Sequence, residues 1–357
     1  QVADDHWTVE IRIPIVQDEN DPLHLVIGRK PTQSLPWHIN LCRQRIRENG
    51  SEHSAFSPTG TKGFHEKLKF AHFYKGSSPQ FDADESVTDY LIASRAAGKL
   101  MRGRKYEKAM AVYVALATDK KVTDFQKADA LQHAASCARS LKEFDRAEEL
   151  ADRIPHDAVA ATVRMETLLA RRDWKGLVER FGGEDFNQWP FWQRGAGAFA
   201  RARAHVLVKD GKKAEVDLQT ALAYTADPHI RTSILATMGA NRETRLKDDA
   251  GALEAYRTNL RGKRAIGAAD EFRSAQNAAR ILTRQGKIDE ALATLELVRV
   301  EKQKGFWRHS SLLVLGDTLV ADGRKPEALK AYREVLEDSS ASNAHRKAAQ
   351  ERVEKLK

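Results

Sequence analysis

Cysteine is almost missing from this chain: there are two, Cys42 and Cys137, in 357 residues. Both sit among apolar or small neighbours and fall in different expected domains, so they read as buried free thiols and not as a disulfide framework. No stretch of 18 apolar residues occurs, which leaves no candidate for a membrane-spanning helix. Blocks of five like charges are also missing, although the net charge is +9. The first 80 residues carry 10 Lys/Arg against 9 Asp/Glu, so the remaining 49 Lys/Arg against 41 Asp/Glu hold nearly all of the excess. Spread thinly over a long region, that charge reads as a solvated helical surface and not as a nucleic-acid groove.

The motifs of common catalysts are absent too. There is no GxSxG, phosphate-binding loop, HExxH or CxxCH, and no paired carboxylates in a supporting context. Six of the twelve histidines lie in the first 72 residues, without metal-type spacing. Gly195-Ala-Gly197 lacks the rest of a phosphate loop and reads as close packing within a helix. No catalytic residue, metal or cofactor is therefore expected.

What the chain has is repetition. In Ser310–Glu337 an apolar helix with Leu312, Leu315, Gly316 and Leu319 meets an Asp322-Gly323-Arg324 turn. A second helix follows with Ala328, Tyr332 and Val335 at i, i+4 and i+7. A small residue early in the second helix recurs at Ala109, Ala147, Gly176, Ala214, Ala252, Ala291 and Ala328, at gaps of 38, 29, 38, 38, 39 and 37. Two helices per unit at that period mean a solenoid. A second small residue recurs in the first helix, at Ala97, Ala135, Ala202, Ala240, Ala279 and Gly316. An aromatic recurs at Tyr113, Tyr256 and Tyr332.

This pattern resembles the tetratricopeptide repeat (TPR), over about 250 residues. The consensus Trp and closing Pro of that family are mostly missing, and the unit around Asp173-Trp174-Lys175-Gly176 is degenerate. The resemblance implies an α-α superhelix whose first helices line an inner face. There it places Asn241, Arg245, Arg273, Gln276, Asn277, Arg280 and Arg284, a polar, cationic groove suited to an extended acidic segment of a protein partner or to a chain-terminal carboxylate. An ordinary solvated helix face is the alternative. An aromatic loop around Trp189 and Trp192 is a second candidate surface.

Residues 1–75 are of another kind. Trp7 to Pro14 alternates as a half-buried strand, and Trp37 to Arg45 reads as a second one. Trp7, Glu10, Ile13 and Pro14, then Trp37, Asn40 and Arg43, then Ser54 to Pro58, then Phe64, His65 and Phe70 follow in order. The series is similar to the last part of a family 9-like carbohydrate-binding module, a β-sandwich. Phe56 stands where that family has Trp, and Ala71-His72 replaces its closing Gly. The resemblance implies a sugar site with Phe56 as a stacking platform and Asn40, Arg43, Arg45 and Glu52 as hydrogen-bonding groups. A structural network at a sandwich edge is the other reading of those residues. Three or four strands do not complete a sandwich, so its first half is expected elsewhere.

The expectation is thus a mostly α chain: an incomplete β-sandwich over 1–75, a linker over 76–85, about seven TPR-like helix pairs over 86–340, and a capping helix over 341–357. The function that follows is a non-enzymatic scaffold of exported, bacterial type, bound to a protein partner through the repeats and to glycan or envelope material through the first domain. A purely structural assembly subunit is the alternative, as is an accessory segment of a polysaccharide-degrading enzyme. No nucleic-acid partner is expected. The start at Gln1, without a signal peptide, reads as a mature or partial chain.

Overall fold

In a computed structural model, each helical unit is built from a helix, a tight left-handed turn and a second helix. The structure describes residues 37–39, 42–47, 50–55, 71–73 and 85–356, apart from 226, 262–266 and 299–302. The expected strand Trp7–Pro14 lies outside the described residues.

Among the described residues four short strands come first. Strand β1 (Trp37–Ile39) pairs antiparallel with β4 (Ala71–Phe73), and β2 (Cys42–Arg47) pairs antiparallel with β3 (Gly50–Ala55). The single strand expected from Trp37 to Arg45 is therefore two strands in two different ladders. In the second ladder Arg47 stands opposite Gly50, so residues 48 and 49 are its whole connection.

Seven helix pairs follow. They are α1 (Glu85–Arg102) with α2 (Tyr106–Thr118), α3 (Asp124–Leu141) with α4 (Phe144–Asp152), and α5 (Asp157–Arg171) with α6 (Trp174–Phe181). Next are α7 (Phe191–Leu207) with α8 (Gly211–Tyr224), and α9 (Pro228–Asn241) with α10 (Asp249–Leu260). The last two pairs are α11 (Ala269–Arg284) with α12 (Ile288–Glu296), and α13 (Gly305–Ala321) with α14 (Lys325–Glu337), before a final helix α15 (Asn343–Leu356). The chain divides into two compact units, Gln1–Ala200 and Arg201–Lys357.

Local chemistry sets these boundaries. Thr123 and Gln126 form a reciprocal capping box at the start of α3. Asp173, Asp210, Asp227 and Asp248 accept backbone N–H bonds at the starts of α6, α8, α9 and α10. Pro228 occupies the first turn of α9, where a missing N–H costs nothing. All seven turns between paired helices contain one residue with positive φ. It is Arg104, Lys142, Arg172, Lys209 and Lys247 in five of them and glycine, Gly286 and Gly323, in the last two.

The core is the small-residue row. Ala109, Ala147, Ala214, Ala252, Ala291 and Ala328 are each fully buried, and each is the fourth residue of its second helix. In α6 that position belongs to Leu177, also fully buried, and not to Gly176. Gly176 serves the cap instead: a Cβ on it would stand 2.3 Å from the Asp173 carboxylate. Twelve residues before each of these positions lies the packing residue of the first helix: Ala97, Ala135, Met165, Ala202, Ala279 and Gly316. In the degenerate unit these two positions hold Met165 and Leu177, both fully buried, in place of two alanines.

The α9–α10 unit departs from this spacing. Its packing residue is Gly239, thirteen residues before Ala252, and not Ala240. The cause is a π turn, Arg242–Leu246, which adds one residue between the two helices. Arg242 anchors that turn: its Nε and Nη2 donate to Glu215 Oε1 at 3.0 and 2.7 Å, and its Nη1 donates to the Gly251 carbonyl.

Candidate functional site

Helix α11 carries the stripe on which a binding surface was expected. Arg273, Arg280 and Arg284 are exposed and Asn277 is half-buried, so the i, i+4, i+7, i+11 series does share one face away from the core. Arg245, in the π turn, is exposed as well. Asn241 and Gln276 are corrections to that set. Asn241 is fully buried and donates to the Gly211 carbonyl at 3.0 Å, because the π turn brings the end of α9 against the start of α8. Gln276 is buried between α11 and α13, donating to Ser311 at 2.8 Å and accepting from Ser310 at 2.9 Å. Neither faces the stripe.

The cations that remain are not alone. Arg284 Nη2 reaches Glu243 at 3.1 Å and Asp249 at 3.2 Å. Partial burial pulls the Arg284 pKa down, but these two carboxylates outweigh it and the net shift is upward. Arg273 pairs with Asp270 at 3.1 Å within its own helix. Arg280 is different: its Nη1 donates to Asn277 Oδ1 at 2.8 Å, with no carboxylate within salt-bridge distance among the described residues. Its side chain touches solvent, yet protein surrounds much of it. Burial lowers its pKa from the ordinary arginine value, against the pull of Asp317 and Glu243. Arg280 is thus the cation of the stripe with donors to spare.

A tyrosine relay supports this stripe from below. Tyr256 is buried, donates to Glu243 at 3.2 Å and accepts from Asn277 Nδ2 at 3.1 Å. In the next unit but one, Tyr332 donates to Asp317 at 2.8 Å, and Arg352 of α15 closes on both Asp317 oxygens at 2.7 and 3.0 Å. Burial raises the pKa of both phenols, so they stay protonated donors at any ordinary pH. Asp317, Val320, Tyr332, Glu351, Arg352, Lys355 and Leu356 line an open cavity of about 290 Å³ beside Arg352.

The aromatic loop does not offer Trp189 as a platform. Trp189 is 8% exposed and packs edge-on against Phe186, with its Nε1 donating to Glu184 at 3.1 Å. Gly197 makes room for it: a Cβ there would fall 2.4 Å from the indole. This is the close packing expected of the GxG in α7.

Of the expected sugar site, Asn40 and Phe56 lie outside the described residues. The ladder register sets Arg45 opposite Glu52 and Arg43 opposite Ser54. Among the described residues no three or more His, Cys, Asp or Glu side chains cluster to hold a metal, and no helix is long and apolar enough to cross a membrane.

Residues 236–357, about a third of the chain, match the family model described as a tetratricopeptide repeat-like domain. No curated protein matches. Solved structures do. That of pilF from Pseudomonas aeruginosa is 14% identical, covering 63% of this chain and 97% of its own, with a TM-score of 0.45. A tetratricopeptide repeat protein from Parabacteroides merdae is 12% identical, covering 76% and 99%, at 0.43. The Cut9 and Hcn1 hetero-tetramer of the APC/C is 13% identical, covering 70% and 48%, at 0.47.

Proposed function

We propose that this chain is a non-catalytic scaffold whose α11 stripe holds an extended segment of a partner protein. One observation carries the reading: Arg273, Asn277, Arg280 and Arg284 form a continuous polar face on the side of α11 away from its buried apolar residues, with Arg280 short of a carboxylate. An acidic or carbonyl-rich segment laid along it would supply acceptors to a guanidinium that is already partly desolvated. The test probes an array of extended peptides with the full chain and with Arg273→Ala/Arg280→Ala, each at low and high salt. A set of peptides lost in the variant and weakened by salt is the expected result. The same peptides bound with the same salt dependence would overturn it.

A second reading has an observation of its own. Arg284 and Arg273 already have acidic partners inside the chain, as befits a subunit that only packs into an assembly. In our reading the first domain adds attachment to glycan or envelope material, and the protein is exported. The support is the ordered series of carbohydrate-module-like motifs in residues 1–75. Titration of xylo- and gluco-oligosaccharides against the full chain tests this arm; no binding would leave the scaffold without it.

A further inference from the structure

Two histidines face each other where the last helix meets the pair before it. His309 of α13 is 1% exposed, and its Nε2 lies 2.8 Å from Asp338 Oδ2, just past α14. His345 of α15 brings its ring to 5.7 Å from that of His309, and packs edge-on against exposed Phe306 at 4.9 Å. Its Nδ1 meets Ser342 Oγ at 2.9 Å. Ser342 is also the residue whose hydroxyl accepts the His345 backbone N–H at the start of α15.

The surrounding charges are nearly balanced before either histidine binds a proton. From α13 comes Arg308, which reaches Glu334 of α14 at 2.8 Å and Asp338 at 3.6 Å. Arg346 follows His345 on α15. Asp338 further accepts from the Ser340 hydroxyl and amide, and the His309 and Ser340 hydrogen bonds hold its carboxyl far below the usual range. The His309 ring lies beside this carboxylate. A charge on His345 has no paired carboxylate among the described residues and stands next to the His309 ring. His345 is also the third residue of α15, at the positive end of the helix dipole, which disfavours a cation.

We propose that the His309–His345 pair is a proton-sensitive latch that holds α15 against α13 at neutral pH and loosens it in mild acid. Independent support comes from the direction of the His345 titration: burial, then the charge on His309, lower its pKa from the ordinary histidine value of 6.5. The sign follows directly. Below that ordinary value an undocked α15 binds a proton that the docked one resists, so docking weakens as pH falls and is complete above it. Each pH unit in this window weakens docking by up to about tenfold. Undocking would also carry Arg352 away from Asp317 and open the wall of the neighbouring cavity.

The latch does not depend on the binding role of the stripe, and its test needs no ligand. Hydrogen exchange of the full chain at pH 7.5 and 5.5, corrected for intrinsic rates, should show protection of α15 falling, by at most about tenfold, relative to α11. His345→Gln keeps a hydrogen-bonding side chain without the charge, and its α15 protection should be equal at both pH values. Equal protection at both pH values in the wild type, or the same fall in the variant, would overturn the proposal. Should the variant fail to dock α15 at all, NMR titration of His345 decides. Its pKa should rise when His309 becomes Gln, and an unchanged value sinks the latch.

Discussion

Gly316 lies directly beneath the ring of Tyr332, so close that a methyl group on its Cα would fall 2.3 Å from Tyr332 Cε1. The same relation joins Gly239 to Tyr256, also at 2.3 Å. Where the second helix carries leucine, as in Leu295 and Leu218, the first helix carries alanine, Ala279 and Ala202, and all four are buried. At the two tyrosine crossings size is exchanged: the side chain that glycine lacks leaves the room the ring takes.

That exchange predicts a compensated pair. Gly316→Ala should destabilise by about 1–3 kcal/mol through overpacking, although alanine is intrinsically the better helix former by about 1 kcal/mol. Adding Tyr332→Leu should cost less than the two single changes together, because the resulting Ala–Leu pair is the one used at Ala279–Leu295. Chemical denaturation of the four variants gives the coupling. Strict additivity would mean that the ring and the glycine do not set each other's size.

How far the sequence could be read follows from the same contacts. The period was visible because alanine at a crowded helix crossing leaves few alternatives, and the six alanines that mark it are all fully buried. Two phases were off by one residue. At Gly176 the packing position is filled by Leu177, and a large apolar residue does not advertise itself among alanines. At Ala240 the π turn inserts a residue, and its one sequence trace is the spacing of 13 from Gly239 to Ala252 in place of 12. The stripe residues Arg273, Asn277, Arg280 and Arg284 were legible from helical spacing alone. The partners of Arg284, Glu243 and Asp249, were not, because they come from the π turn and α10. Asn241 and Gln276 were misplaced for the same reason: polarity is visible in a sequence, but a buried hydrogen bond to another unit is not.

The left-handed turns make a second prediction. Lys142 and Arg172 hold φ near 64° and 65°, a region that costs a non-glycine residue about 1–2 kcal/mol. Both are exposed, and the sixth and seventh units use Gly286 and Gly323 in the corresponding turns. Lys142→Gly should raise stability by roughly 0.5–1 kcal/mol, the loss of backbone strain outweighing the extra freedom of the unfolded chain. Thermal unfolding is the measurement. A lower midpoint would show that the cation's interaction with the end of α3 outweighs the strain.

Cys137 should behave as an inert core thiol. It is fully buried, and burial pushes its pKa up to about 11. Alkylation at pH 7.5, followed by mass spectrometry, should leave Cys137 unmodified in the folded chain over a time that modifies it completely in denaturant. Rapid labelling without denaturant would mean that α3 opens far more often than its packing implies.

The last prediction concerns a buried ion pair. Arg201 donates from Nε and Nη2 to the two oxygens of Asp217 at 2.9 and 2.8 Å, and their side chains are 12% and 5% exposed. His205, beside them, has its pKa lowered by burial against the pull of Asp217, so it stands neutral at pH 7. Asp217 is then an ionised, bidentate partner of Arg201 in this site. Asp217→Asn preserves the shape but leaves the guanidinium without its carboxylate, which should cost about 3–5 kcal/mol. Replacing both residues with Leu and Met should cost much less, since apolar groups of similar volume need no compensation. Urea unfolding of the single and double variants separates these outcomes. A single variant within about 0.5 kcal/mol of the wild type would show that water reaches Arg201, and that the pair sets the register of α7 and α8 without stabilising them.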